Sequence, residues 1–325
     1  MGISKRLKFN GEKTREEKQR SLRLYLIVIV AFAVGLAGAF LFDANVAGHY
    51  EKTGDRQPET LMTDGVFPPQ ISASGAILLD TTGWEKENSS IMDRVLFEEN
   101  SNVKLYPAST TKIMTALVTL ETLDELGLGI DSQVIVPKEA EGVEGSSIYL
   151  KAGERLTVEE LLYGLMLQSG NDSAVALAIC IGGKEELFVE KMNQRAAEIG
   201  CTATHFTNPN GLHDEDHYTT ARELGMIASE AMKREDFRKI VSAKTWKSPA
   251  SGRIITNKNK TIFQYKDATG IKIGYTMASG RTLVASAKRD DRELIAVVLN
   301  DGNWFRDAYS MMDYGFQIID SERKG

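Results

Sequence analysis

Leu24 to Phe42 (LYLIVIVAFAVGLAGAFLF) is a run without a single charged residue. A helix that is apolar on every face must be buried all round or sit in lipid, and this one is about long enough to cross a bilayer. Eight Lys or Arg residues lie among the first 23 positions. By the positive-inside tendency, that flank stays in the cytoplasm and everything after Phe42 is exported. The run therefore divides the chain into a basic cytoplasmic tail (1–23), a transmembrane anchor (24–42), a polar juxtamembrane stalk containing Gly and Pro (43–69) and a folded domain (70–325). A cleaved signal peptide is the alternative, because LAGA and NVAG offer small residues. The length of the run and the tail before it favour an uncleaved anchor. The expected location is the cell membrane, single-pass, with the domain outside the cytoplasm.

At 325 residues, the chain can hold one large domain or two small ones. With 42% hydrophobic and 26% charged residues, the chain is not disordered throughout. A net charge of −6 gives no support to nucleic-acid binding. Four scattered histidines and two cysteines, with no C-x-x-C or H-E-x-x-H spacing, point to no metal site. Cys180 lies in an apolar helical run and is expected in the core. A bridge to Cys201 is possible but not demanded.

Along the domain, ISASGAILLD and VLFEENSN read as strands, joined by the polar connector TTGWEKENSSIMDR. A helical pattern runs from Ser109 to about Leu126. Thr157 and Glu160 form a capping box ahead of LLYGLMLQ, SGN interrupts, and DSAVALAIC resumes the helix. KEELFVEKMNQRAAEIG stops at Gly200, and TTARELGMIASEAM is another helix. TIFQY, GIKIGYT, RTLVASAKR and ELIAVVLN read as strands before a last helix, FRDAYSMMDYGFQII. Strands at both ends around a helical middle predict an α+β fold of mixed α/β layers, a sheet with helices on it.

Ser109 and Lys112, in LYPASTTKIMTAL, are three residues apart at the start of a helical pattern, so both side chains project from one face. Free backbone N–H groups at a helix start also favour a developing oxyanion. The spacing alone is weak, since Ser101/Lys104 and Ser321/Lys324 share it; only Ser109 opens a periodic apolar segment. A base of this kind must be neutral for part of a cycle, which burial and a second cation favour. LQSGNDSA places Ser169 and Asn171 in a polar break between apolar helices, though a plain helix–helix turn would look the same. TGIKIGYT places Lys272 in a strand next to Gly274, where a glycine admits close backbone approach. A solvated strand lysine is the bland alternative.

The order Ser-x-x-Lys, Ser-x-Asn, Lys-x-Gly is the signature of penicillin-binding proteins and class A β-lactamases. Around it, YPASTTKIMTA, SGNDSA, FTNPNGLHDEDHYTTARELGMIA, TNKN, GIKIGYT and LVASAKR…LIAVVLN resemble the serine D-alanyl-D-alanine carboxypeptidases, the low-molecular-weight penicillin-binding proteins, over about Pro68 to Phe316. The resemblance implies a transpeptidase-like fold, an antiparallel sheet flanked by helices with a helical subdomain. It implies a substrate, a peptidoglycan stem peptide ending in D-alanyl-D-alanine, and β-lactams as covalent inhibitors. It implies roles: Ser109 as nucleophile, Lys112 as base, Ser169 as proton relay, Asn171 on the substrate backbone. Lys272 and Arg306 would face the terminal carboxylate, and the N–H groups of Ser109 and Tyr275 would form the oxyanion hole beside Gly274. No metal or organic cofactor is implied. Two departures stand out. Ile273 occupies the place where the family has threonine, and its side chain is expected to point into the cleft beside Lys272. The C-terminal β-rich domain common in the family is not expected here, the N-terminal anchor replacing the membrane tail. A DD-endopeptidase, or a weakly active wall-binding protein, are the rival functions; a β-lactamase fits the flanking motifs less well.

Overall fold

A computed structural model describes residues 66–83 and 94–322. The tail, the expected anchor at 24–42, most of the stalk and the middle of the 81–94 connector lie outside the described residues. Among the described residues, no helix is long and apolar enough to cross a membrane.

The strands of the main sheet are β1 (Gly75–Asp80), β2 (Val95–Glu99), β7 (Ala268–Thr276), β8 (Gly280–Arg289) and β9 (Arg292–Leu299). They pair antiparallel in the order β2-β1-β9-β8-β7, so sequence-distant β1 and β9 are central and β7 forms an edge. β9 is apolar almost throughout because both its faces are covered. Ile295, Val297 and Leu299 enter the cluster shared with the helical middle, whereas Leu294, Ala296 and Val298 face the C-terminal helix. Short ribbons pair β3 (Gln133–Ile135) with β4 (Arg155–Thr157), and β5 (Thr245–Lys247) with β6 (Ile254–Thr256).

Helices α1 (Lys112–Leu126), α2 (Val158–Leu167), α3 (Asn171–Gly182), α4 (Glu185–Ile199), α5 (Ala221–Lys233) and α6 (Glu235–Ser242) build the middle. Half of the expected capping box forms: Thr157 Oγ1 accepts from the Glu160 N–H at 3.2 Å, but the Glu160 carboxylate does not return to Thr157 N–H. Thr220 caps α5 in the same way through Glu223 N–H. Fully buried Glu160 is satisfied by Ser248, Ser251 and Arg253, which ties the β5–β6 ribbon to α2. A buried carboxylate without such partners would be strongly destabilising.

The structure corrects three expectations. TIFQY is not a strand: Thr261–Gln264 form a single helical turn, α7, before β7. Five residues were too few for a period to distinguish the two. Cys180 is half-buried near the end of α3, not in the core, and both it and Cys201 are free thiols. Helical backbone begins earlier than the α-helix, since Ala108–Thr111 form a 3-10 turn and the regular helix starts at Lys112. The last helix, α8 (Trp304–Glu322), lies against the outer face of the sheet, as its pattern predicts.

Candidate active site

Ser109 sits in that 3-10 turn, and Lys112 opens α1. Lys112 is fully buried, an arrangement that a cation tolerates only with partners. Its Nζ lies 2.9 Å from Ser109 Oγ and 2.7 Å from Asn171 Oδ1, and it also donates to the backbone carbonyl of Asn210. The orientation of the Asn171 amide is fixed, because its Nδ2 donates to Glu144 O at 2.7 Å. Both Asn171 Oδ1 and Asn210 O are pure acceptors. A neutral amine has two N–H groups, and these two carbonyls claim both. Its lone pair then faces Ser109 Oγ, the orientation a base needs to take the hydroxyl proton.

The electrostatics favour that state. Burial, first, holds the Lys112 pKa well below its ordinary value; Lys272 and Lys258 push the same way, and Asp172 opposes them. Lys272 is itself buried and lowered to about 7, by burial and then by Lys258. Asp172 lies next to Asn171 and accepts from Ser147 Oγ and from the N–H groups of Ile148 and Leu150. Together with the bond from Asn171 N–H to Ser146 O, this clamps segment 144–150 onto the start of α3. Ser169, two residues upstream, is buried with a left-handed backbone (φ 63°).

Across the cleft runs β7. A Cβ on Gly274 would lie 2.9 Å from Ser109 N and 3.1 Å from Pro107 O, so only glycine lets the strand pass this close. Thr282 of β8 donates to the same Pro107 carbonyl at 3.0 Å, which holds the sheet against the turn. Tyr275 follows with an exposed side chain. Lys272 Nζ donates to Ile273 O at 3.1 Å.

Two expectations fare differently here. Ile273 does not lie beside Lys272. Successive strand residues face opposite ways, and Ile273 pairs with Leu283 and packs against the cluster built around α8. Arg306 lies in the first turn of α8, 67% exposed, with Nε on Asp307 Oδ1 at 3.0 Å. Ser109, Lys112 and Asn171 are thus joined directly, Ser169 shares the Asn171 turn, Lys272 and Gly274 arrive on β7, and Arg306 is not bonded to them. The decoy pair separates: Ser101 Oγ donates to Glu98, while Lys104 stacks on the Tyr218 ring.

Sequence reasoning missed the carbonyls of Asn210 and Glu144, which carry no residue-type signature. It also missed Lys258, whose charge acts on both site lysines; in TNKN it looks like any surface lysine.

Known proteins resemble this chain over most of the described domain. Residues 62–303 match the family described as Peptidase_S11, D-alanyl-D-alanine carboxypeptidase. D-alanyl-D-alanine carboxypeptidase DacF of Bacillus subtilis is 39% identical over 216 residues, 63% of this chain and 54% of that protein. The chain thus spans about half the length of that relative. The carboxypeptidase DacC of Escherichia coli is 30% identical across 91% of this chain and 71% of its own length. Among solved structures, the Streptomyces K15 DD-transpeptidase superposes with a TM-score of 0.68 at 31% identity, covering 78% of this chain and all of that one.

Proposed function

The chain belongs to the D-alanyl-D-alanine carboxypeptidase family, peptidase S11, and from that premise we propose that it removes the terminal D-alanine of peptidoglycan stem pentapeptides through an acyl-enzyme on Ser109. The observation that carries this reading is the placement of buried Lys112, its Nζ 2.9 Å from Ser109 Oγ and its other contacts to the carbonyl oxygens of Asn171 and Asn210. Lys112 accepts the Ser109 proton as Oγ attacks the carbonyl carbon between the two D-alanines. The oxyanion is held by the N–H groups of Ser109 and Tyr275, aligned by the close pass at Gly274. Ser169 relays the proton to the leaving amine, and the C–N bond breaks to free D-alanine. Asn171 holds the substrate backbone. Lys272 offers charge to the terminal carboxylate, with Arg306 reaching in from α8. Water then enters, loses a proton to the same relay and hydrolyses the ester. A β-lactam, which resembles the D-alanyl-D-alanine end, acylates Ser109 in the same step.

Leu24–Phe42 tethers the domain outside the cytoplasm, where this substrate resides. The hydropathy of that run and its basic flank support the tether. A fluorescent penicillin is expected to label the wild type and the Ser101→Ala control, but not Ser109→Ala; equal labelling of all three sinks the assignment. Protease added to intact spheroplasts is expected to digest the domain and spare the N-terminal tail. A mature chain starting after Phe42 would replace the anchor with a cleaved signal.

A further inference from the structure

We infer that His217 is a positioning residue for Lys112: its ring ties the turn that carries the Asn210 carbonyl to the start of α1, and so keeps both that carbonyl and the exclusion of water in place. The inference rests on the role of Lys112 proposed above.

His217 lies in the segment FTNPNGLHDEDHY and is 2% exposed. Its Nδ1 lies 3.1 Å from the backbone N of Thr207. An N–H can only donate, so Nδ1 accepts and bears no proton. The ring proton is then on Nε2, which donates to Thr111 Oγ1 at 2.8 Å. Thr111 is the residue before Lys112. From Thr207 the chain turns through Asn208, Pro209, Asn210 and Gly211, closed internally by Asn208 Oδ1, which accepts from the N–H groups of Asn210 and Gly211. Pro209 O then accepts from Thr115 Oγ1, and Asn210 O from Lys112 Nζ. The turn is thus rigid in itself and fastened to α1 on one side by Thr115, on the other by the imidazole.

The charged and titratable groups facing His217 are Asp214, His205, Lys112 and His213. Burial dominates them and pushes the ring down to about 4; Asp214 favours the cation, and the others oppose it. The ring stays neutral over any working range near neutrality, and its two bonds persist there. Without the ring, the turn loses a fastening beside Lys112 and water reaches the amine. Because burial is the largest cause of the low Lys112 pKa, solvation of this kind raises it.

The test follows the Lys112 13Cε shift in the full chain across pH, in wild type, His217→Ala, His217→Gln and Thr111→Val. It is paired with the rate of acylation by a fluorescent penicillin. In His217→Ala the Lys112 pKa is expected to rise by about one unit, a tenfold drop in neutral amine below it, and the acidic limb of acylation to move equally. His217→Gln keeps a donor and an acceptor and is expected to recover most of the shift. Thr111→Val removes the other end of the tie and is expected to move Lys112 the same way, by less. An unchanged Lys112 titration in folded His217→Ala overturns the inference; if that variant does not fold, an unchanged titration in Thr111→Val does. Failure of the wild type to release D-alanine would instead overturn the proposed activity, and the Lys112 titration reads out either way.

Discussion

The two walls of the cleft are built on opposite plans. On the helical wall, Lys112 has three bonded neighbours, Asn171 has both ends of its amide engaged, and Asp172 clamps the adjoining segment. Lys112, Asn171 and Asp172 are each held by partners within the chain. On the sheet wall, among the described residues, buried Lys272 donates to no side chain but to the carbonyl of its neighbour Ile273, and Tyr275 and Met277 are exposed. A buried cation without a counter-ion is costly. In the proposed reaction, the helical wall is preorganised for proton transfer, and the sheet wall holds positive charge for a carboxylate that arrives with the substrate.

The sharpest way to break the comparison is at the point where the walls meet the nucleophile. Ser109→Ala removes the reacting atom and is expected to lower kcat/KM by at least about 10³-fold with little change in thermal stability. Gly211→Ala comes next. Gly211 has φ +81°, and a Cβ there would lie 1.9 Å from Ala108 O, directly before Ser109. The turn or the nucleophile must move, so acylation is expected to fall about 100-fold and Tm by several degrees, read by penicillin labelling and thermal denaturation.

Lys272→Met separates the plans by sign. The folded pKa of Lys272 is about 7, below its ordinary value. At neutral pH the unfolded chain thus binds more protons than the folded one. This penalty is present below the folded pKa and is relieved as pH rises from about 7 toward the ordinary lysine value. Removing the charge is expected to stabilise the domain by a few kcal/mol at pH 7, while kcat/KM falls about 100-fold through a higher KM. A loss of both stability and activity would mean that Lys272 is a structural member of the wall. In the wild type, the same two lysines shape the pH profile. Activity is expected to rise as Lys112 loses its proton and to fall as Lys272 loses its own, read as kcat/KM across pH.

Ile273→Thr and Arg306→Ala are expected to have the smallest effects. Ile273 faces the α8 cluster, away from Lys272, so a threonine loses apolar contact and its hydroxyl stays out of the cleft. Little change in kcat/KM is therefore expected, with a small loss of thermal stability from the lost apolar contact. Exposed Arg306, paired with Asp307, is expected to change KM only a few-fold on truncation. D-alanine release by each variant on one pentapeptide measures both.

The parts of the site that depend on residue type and spacing were legible in the sequence. Ser109 and Lys112 stand out because helical periodicity starts there, Asn171 because a polar break interrupts two apolar helices, and Gly274 because a strand glycine implies close approach. The order of β-runs and the long C-terminal helix were legible for the same reason. What escaped were contacts made by backbone, such as the Asn210 and Glu144 carbonyls, which any residue supplies. Short elements escaped as well: one turn of helix at Thr261–Gln264 shows no period, and the three-residue strands β3 to β6 show none either. Ile273 lies on the face opposite the one expected, because strand alternation sends the side chains of Lys272 and Ile273 to opposite sides.

The central claim is that the helical wall delivers an acyl transfer at Ser109. It is tested most directly by incubating the purified full chain with a stem pentapeptide ending in D-alanyl-D-alanine and quantifying free D-alanine. The wild type is expected to release one D-alanine per pentapeptide consumed, with release blocked by penicillin and absent in Ser109→Ala. Release that persists in Ser109→Ala, or a folded wild type that binds the pentapeptide and frees no D-alanine, would contradict the account.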